Sequence, residues 1–302
     1  MNRFSDDLII NQGTQTRLNP NFGPVIFGGT IGTADGEYGT VMISRRFSKW
    51  WQLRGIYTFG KATDELSSSD NGVAGSNGTG EAVFNTYNLQ AQHALADFDV
   101  SRRFTADSIV ELPSPFASGI GRQVLGGWRM SNIVVLQSGL PFTVFTSAPF
   151  NPVWNNASCS TTVTPSCQVV GNTGGDYNAD GYDFDAPNTP PAGTVHTGNR
   201  SNFLNGFAAA NAFPTPALGV EVNLGRNSYI GPGFANVNTE FAKLFMLKER
   251  YSFEFRADIS NLFNRVNLTQ PISDLSGNSG PFGLSTSQTL PRAVQFGLRI
   301  GF

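Results

Sequence analysis

Charged residues are scarce in this 302-residue chain. Asp, Glu, Lys and Arg together make up 14% of it, against the quarter or so usual in soluble domains. Their signs nearly cancel, leaving a formal net charge of −2. The basic footprint that a nucleic-acid partner needs is therefore missing. Apolar residues do not fill the gap, at 39%, and no run of 18 or more of them exists, which excludes a transmembrane helix. Histidine and cysteine number two each. His93 and His196 lie far apart and away from Cys159 and Cys167, so no zinc-ligand spacing is present. Nothing resembles a Gly-x-Ser-x-Gly elbow, and no Ser/His/Asp set is favoured. The opening residues, Met1-Asn-Arg-Phe-Ser-Asp-Asp7, carry no apolar segment behind Arg3, so no signal peptide is legible. A protein working outside the cytoplasm is then expected to have further N-terminal sequence before Met1.

In place of charge the chain has Gly (34), Pro (17), many Asn, Ser and Thr, and 25 Phe. Such a composition is poor in helix formers and rich in turn and strand formers. The strand pattern is clearest at the C-terminus. Val294, Phe296, Leu298, Ile300 and Phe302 alternate with Ala293, Gln295, Gly297, Arg299 and Gly301, which puts an apolar and a small or polar row on opposite faces of one strand. Over 251–263, Tyr251, Phe253, Phe255, Ala257, Ile259, Asn261 and Phe263 alternate with Ser252, Glu254, Arg256, Asp258 and Ser260. Shorter alternations centre on Val41, Ile43 and Phe47, on Leu53, Tyr57 and Phe59, and on Phe104, Ala106, Val110 and Leu112. Longer, less regular strands are expected over 128–145 and 235–247, and a weaker one near 23–32. The total is about eight strands of roughly 9–14 residues, the length of a tilted strand crossing a bilayer and longer than the five or six usual in soluble sheets.

Alternation alone fits a soluble sandwich as well as a membrane barrel. The connections decide between them. Residues 47–51 and 247–250 make tight turns and 113–126 a modest one, whereas about 63–97, 146–234 and 264–290 are long and rich in Gly, Asn, Ser, Thr, Asp and Pro. Short turns at one end and long loops at the other characterise membrane barrels. Trp50, Trp51, Trp128 and Tyr251 fall beside the short turns, where an aromatic belt at a membrane interface would put them. On this reading the charged residues of the strands form a lumen-facing ladder: Arg54, Asp107, Glu111, Arg129, Glu254, Arg256, Asp258 and Arg299.

Two loop features invite chemistry. Asp176, Asn178, Asp180 and Gly181 have the spacing of the first half of an EF-hand loop, with either Asp183 or Asp185 as a further oxygen ligand, but Pro187 stands where the bidentate Glu should be. A calcium loop of another type is the expectation; the alternative is a solvated acidic turn held by Asx hydrogen bonds. Cys159 and Cys167 sit in a polar stretch, where a short-loop disulfide in an oxidising compartment is preferred to two unpaired thiols. The run Gly55-Ile-Tyr-Thr-Phe-Gly-Lys-Ala62 nearly matches a phosphate-binding P-loop, yet it lacks the terminal Ser or Thr and is built of strand formers.

Several motifs in order carry a family resemblance: Asn19-Pro-Asn-Phe-Gly, Ser44-Arg-Arg-Phe-Ser leading into Leu53-Arg-Gly-Ile-Tyr-Thr-Phe-Gly-Lys-Ala-Thr-Asp, Asp97-Phe-Asp-Val-Ser-Arg-Arg-Phe, Gly126-Gly-Trp-Arg-Met-Ser, Leu136-Gln-Ser-Gly-Leu-Pro-Phe-Thr-Val, Leu224-Gly-Arg-Asn and Ala257-Asp-Ile-Ser-Asn-Leu-Phe-Asn-Arg. Together they are similar to the C-terminal half of the barrel in Oar-like TonB-dependent receptors, in which an N-terminal carboxypeptidase-regulatory-like domain is common. The resemblance spans most of 19–302. It implies a Gram-negative outer-membrane barrel of about 22 strands with an internal plug and an N-terminal segment that contacts TonB; plug, TonB segment and early strands have no counterpart in these residues.

The expected fold is all-β: an antiparallel transmembrane β-barrel segment of about eight strands with long external loops, a fragment of the larger barrel. The expected function is ligand uptake across the outer membrane, without bond chemistry. The expected partners are outer-membrane lipid, the barrel-assembly machinery, TonB through an N-terminal region, and an external ligand. Calcium is the one cofactor suggested. Phe296, Leu298, Ile300 and Phe302 would form the assembly signal. The alternative is a secreted, calcium-dependent all-β adhesion or binding module.

Overall fold

The structure, a computed structural model, describes residues 32–67, 89–116, 118–149, 151–160, 166–167, 169–177, 184–216, 223–247 and 251–302. In chain order its elements are β1 (Ala34–Ser48), β2 (Trp51–Asp64), β3 (Ala94–Leu95), β4 (Arg102–Leu112), α1 (Gly119–Leu125), β5 (Trp128–Gln137), β6 (Pro141–Phe142), β7 (Pro152–Trp154), β8 (Val169–Asn172), α2 (Arg200–Asn205), β9 (Tyr229–Ile230), β10 (Phe234–Leu247), β11 (Tyr251–Ser260) and β12 (Ala293–Gly301). Seven long strands pair in the order β1-β2-β4-β5-β10-β11-β12, with β3 added beside β2. Every pairing among them is antiparallel. Among the described residues β1 and β12 are the outer strands.

The alternation fixes the two faces. Register pairs Arg54 with Asp107, Glu111 with Arg129, Glu240 with Asp258 and Glu254 with Arg299, so these charges share one face. The opposite face carries Val41, Ile43, Leu53, Tyr57, Phe59, Leu112, Leu136, Phe245, Phe296, Leu298 and Ile300, all exposed. Phe296 and Leu298 keep 68% and 67% of their accessible surface, and Phe296 stacks only on Phe255 of the neighbouring strand. No second sheet covers these rows among the described residues. The band contains a polar notch. Asn132 donates to Ser108 Oγ (3.1 Å) and accepts from Thr239 Oγ1 (2.9 Å), so the three side chains satisfy one another.

Turn chemistry accounts for several strand ends. Lys49 takes a left-handed φ of 62° in the tight β1–β2 turn. Beyond β11, Asn261 and Asn264 both take left-handed φ, which Asn tolerates better than most residues. Asn261 bonds the N–H and C=O of Arg265, and Asn264 accepts from the N–H of Arg292, fixing the exit from the strand. The apolar run expected as a single strand over 128–145 divides. β5 stops at Gln137, and at Gly139 the chain meets the Gly231 carbonyl so closely that a Cβ would lie 1.9 Å from it. Phe142, Val144 and Phe145 then leave the sheet. The modest turn expected over 113–126 contains α1. The weaker strand expected near 23–32 and the end of the 247–250 turn lie outside the described residues, apart from Gly32, which is not in a strand.

The buried core lies in the long loops, not in the sheet. Phe142, Val144, Phe145, Ala186, Phe203, Phe207, Phe213 and Leu224 form it, with Tyr229, Leu268 and Phe282 packed against it. Phe207 meets Phe142 and Phe282 at ring-centroid distances of 5.2 and 5.3 Å. Each such ring contributes on the order of 1.5–3 kcal/mol by leaving water. The long Gly- and Asn-rich connections are thus joined into one packed body by their irregularly spaced Phe residues.

Candidate functional site

Two regions bring functional side chains together: the polar face of the sheet and the cleft in the loop body. On the polar face all eight charged residues singled out from the sequence are present on one side. Arg54 donates to Asp107 at 2.7 Å. Arg129 reaches Glu240 at 3.6 Å and Glu254 at 3.9 Å. Arg256 lies 3.1 Å from Asp258 and 3.8 Å from Glu240. Glu111 stands opposite Arg129, and Arg299 opposite Glu254. Glu240 bridges the two arginines and escaped the sequence reading. The signal was there: Phe234, Asn236, Asn238 and Glu240 alternate with Val237, Thr239 and Phe241, but Lys243 on the apolar side obscures the rhythm. These pairs are partly exposed, so each adds little to stability; together they give that face both signs of charge.

The loop body is strapped to the top of that face by Arg226. Asp64, at the end of β2, is on the polar side, in register with the alternation through Arg54. The Arg226 guanidinium is 1% exposed. It donates to the Asp64 carboxylate, to the Asp64 carbonyl (2.6 Å), to Asp97 (3.1 Å), to Ser67 (3.2 Å) and to the Gln92 carbonyl (3.3 Å). Asn227 adds bonds to Asp97 and to the Leu95 carbonyl (2.7 Å), and Thr143 donates to its side-chain oxygen at 3.0 Å. Nothing in the spacing of a lone Arg-Asn pair announced this role.

Beside the strap is a cleft of about 550 Å³ whose walls include Asp97, Phe142, Phe145, Asn227, Gln270 and Asp274. Asp274 clamps one loop to another. It accepts from Ser147 Oγ (2.7 Å), Ser276 Oγ (2.7 Å) and Ser279 Oγ (2.9 Å) and from the N–H groups of Ser147 and Ser276. Burial works to raise its pKa, but these donors outweigh it and hold the carboxyl below the ordinary carboxylate value.

The remaining residues singled out from the sequence are placed as follows. Cys159 and Cys167 are joined, Cα to Cα 5.5 Å. Of the acidic loop, Asp176 and Asp185 are buried, and Asp185 accepts from the Tyr177 N–H at 2.5 Å. Asn178, Asp180 and Asp183 lie outside the described residues. Among the described residues no three His, Cys, Asp or Glu side chains converge as a metal site. Phe296, Leu298 and Ile300 project from the apolar face of β12, and Phe302 ends the chain almost fully exposed. Trp51, Trp128 and Tyr251 begin β2, β5 and β11. The P-loop-like run lies inside β2.

The family model described as "Outer membrane beta barrel domain" matches residues 7–295. The chain belongs to this family. No curated protein and no solved structure matches it. As an outer-membrane barrel domain it resides in the outer membrane, which replaces the secreted, soluble module weighed as the alternative. In outer-membrane barrels generally, apolar rows face acyl chains, the opposite face looks inward, and short turns and long loops fall on the periplasmic and external sides.

Proposed function

We propose that this chain is the C-terminal barrel portion of an Oar-like, TonB-dependent receptor that takes up an external ligand across the outer membrane. In this reading the described strands are part of a wall of about 22, and a plug and TonB-contacting segment come from an N-terminal region. The observation that supports it best is the loop body strapped by Arg226 to the polar face: an ordered recognition surface continuous with a charged inner wall. The ordered set of sequence motifs points the same way. No bond is made or broken; the chain binds and passes ligand, and TonB supplies the energy.

The test is retention of the native gene product, extracted from outer membranes in mild detergent, on immobilised periplasmic domain of TonB. Specific retention, lost when the N-terminal region is deleted, is expected. Absence of retention by a folded, full-length product would overturn the TonB-dependent assignment and leave the barrel assignment standing.

A further inference from the structure

The Asp274 carboxylate is enclosed without a counter-ion. It is 1% exposed, and its donors are the hydroxyls of Ser147, Ser276 and Ser279 and the N–H groups of Ser147 and Ser276. All are neutral, so the charge is solvated but not cancelled, and a cation brought close to it is attracted more strongly than in water. Asp274 borders the cleft of about 550 Å³, where the other ionisable wall residue is Asp97. Arg226 and Asn227 both bond one oxygen of Asp97, Oδ1. Its Oδ2 takes no bond among the described residues, and the side chain is 30% exposed. Leu140, Phe142 and Ile272 supply apolar wall between the two carboxylates. The walls are tied in place: Phe145 donates to the Ser273 carbonyl (3.1 Å), Leu275 to the Phe145 carbonyl (2.7 Å) and Gln270 to the Leu140 carbonyl (2.8 Å). The volume falls within the ~300–1,000 Å³ of small-ligand sites.

The surroundings do not neutralise this site. Arg226 is shared between Asp64 and Asp97, and Glu65 and Asp99 are buried close by in the chain. The connections 65–101, 138–233 and 261–292 together hold eleven Asp and Glu, four Arg and no Lys. Apart from Arg226, those arginines are Arg200 at the start of α2, Arg265, which donates to Asn267, and Arg292, which donates to the Leu262 carbonyl; none borders the cleft. The parts of these connections outside the described residues contain Asp70, Glu81, Asp180, Asp183 and Glu221 but no Lys, Arg or His. They therefore bring no counter-cation. A concave site of one sign, in loops of the same sign, concentrates ligands of the opposite charge.

We infer that this cleft binds a basic side chain of a peptide. The cationic head donates to the free Asp97 oxygen by a charge-assisted hydrogen bond and lies in the field of Asp274. The aliphatic stem of a Lys or Arg lies on Leu140, Phe142 and Ile272, a match of charged tip and apolar body that these side chains provide. A bare metal ion fits less well, because no three carboxylates or other ligating side chains converge among the described residues. The inference names a ligand class for the proposed receptor and rests on that reading.

The test is calorimetric titration of the intact native gene product, in neutral detergent, with end-blocked Ala-Lys-Ala. The same peptide with norleucine or Glu in place of Lys, and free pentylamine, are separate arms. Folding of every variant is checked by heat-modifiable migration on gels. The Lys peptide should bind at least roughly tenfold more tightly than the norleucine peptide, the gain from a charge-assisted over a neutral contact, and more tightly than pentylamine; the Glu peptide should not bind. Asp97→Asn keeps an acceptor oxygen for Arg226 and Asn227 and should weaken the Lys peptide roughly tenfold. Ile272→Trp fills the cleft without touching the strap and should abolish binding. No binding of the Lys peptide at millimolar concentration, equal binding of the norleucine or Glu peptide, pentylamine binding as tightly as the Lys peptide, or unchanged affinity in Asp97→Asn would each overturn the proposal. Retention on TonB is measured apart from peptide binding, so loss of the ligand class leaves the receptor assignment standing, and loss of TonB retention leaves the peptide affinity measured.

Discussion

Replacing Arg226 with Gln should release the loop body from the sheet while leaving the strands intact. The guanidinium is almost fully enclosed, and its principal partner, the Asp64 side chain, is 5% exposed. Removing one member of such a pair costs about 3–5 kcal/mol, because the other charge is left buried and uncompensated. Asp97 is 30% exposed and recovers water, so most of the cost falls on Asp64, which keeps only the Ser67 hydroxyl (2.7 Å) among its side-chain partners. The loss is local: Arg226 touches the end of β2 and the loops, not the pairing of the long strands. It therefore enters the free energy of opening the loop body, not that of the whole barrel. At 1.4 kcal/mol per factor of ten, amide exchange in 140–147 and 223–231 should accelerate by roughly two to four orders of magnitude. Hydrogen exchange read by mass spectrometry measures this directly, with peptides from β11 and β12 as internal controls. Changing Asp64 to Asn together with Arg226→Gln removes the stranded charge and should recover a large part of the protection. Unchanged exchange in the single variant, or a double variant no better than the single, would refute the reasoning.

The other predictions concern acid, lipid and assembly. Asp274 has its pKa lowered in the folded chain, so its clamp contributes fully above the ordinary carboxylate range, about pH 4, and is lost as pH falls through the lower folded value. Exchange protection of 274–279 should hold from neutral pH down to about 4 and fade below it, and Asp274→Asn should weaken the clamp throughout and remove that dependence. Leu298→Arg places a cation on the lipid face of β12 and should cost about 2–4 kcal/mol if the site is at mid-bilayer, whereas Gln295→Arg, on the inner face, should shift unfolding in urea by far less. Deleting Phe302 should impair membrane insertion more than substituting exposed loop residues such as Asn278; normal recovery in carbonate-washed membranes would count against a role for the terminal residue in assembly.

What could be read in advance followed from period. β11 and β12 were legible because every second residue obeys one solvent, and the register then carried Arg54, Asp107, Arg129 and Glu254 to the same face. β10 was less legible because Lys243 stands in the apolar row, and only the fold shows why it is tolerated there: Trp128, Phe245 and the Gly126 carbonyl enclose it. The end of β5 was misread because Leu140, Phe142 and Val144 continue an apolar rhythm past Gln137; the break depends on a contact between Gly139 and Gly231, residues 92 positions apart. The strap at Arg226 and the clamp at Asp274 were illegible for the same reason. The Asp64 and Asp97 partners of Arg226 and the Ser147 partner of Asp274 are more than a hundred residues away in sequence, and no local pattern encodes such a meeting, although Ser276 and Ser279 lie close by.

The position of the core follows from the solvent that each part meets. On the strands, Phe255, Phe296 and Leu298 have no reason to bury themselves, since hydrocarbon already surrounds them, and the sheet is held by its backbone ladder. In the external loops the same residue type meets water. Phe142, Phe203, Phe207, Phe213 and Phe282 therefore collapse on one another, and the polar bonds of Arg226 and Asp274 set the collapsed body in one orientation. Gly and Asn serve that body by allowing close approach and left-handed turns, as at Gly139 and Asn227, rather than by keeping it loose. A recognition surface organised before ligand arrives loses less conformational entropy on binding than open loops would. In a receptor of the proposed kind, affinity at the external mouth would then depend as much on the enclosed Arg226 as on any side chain that touches the ligand.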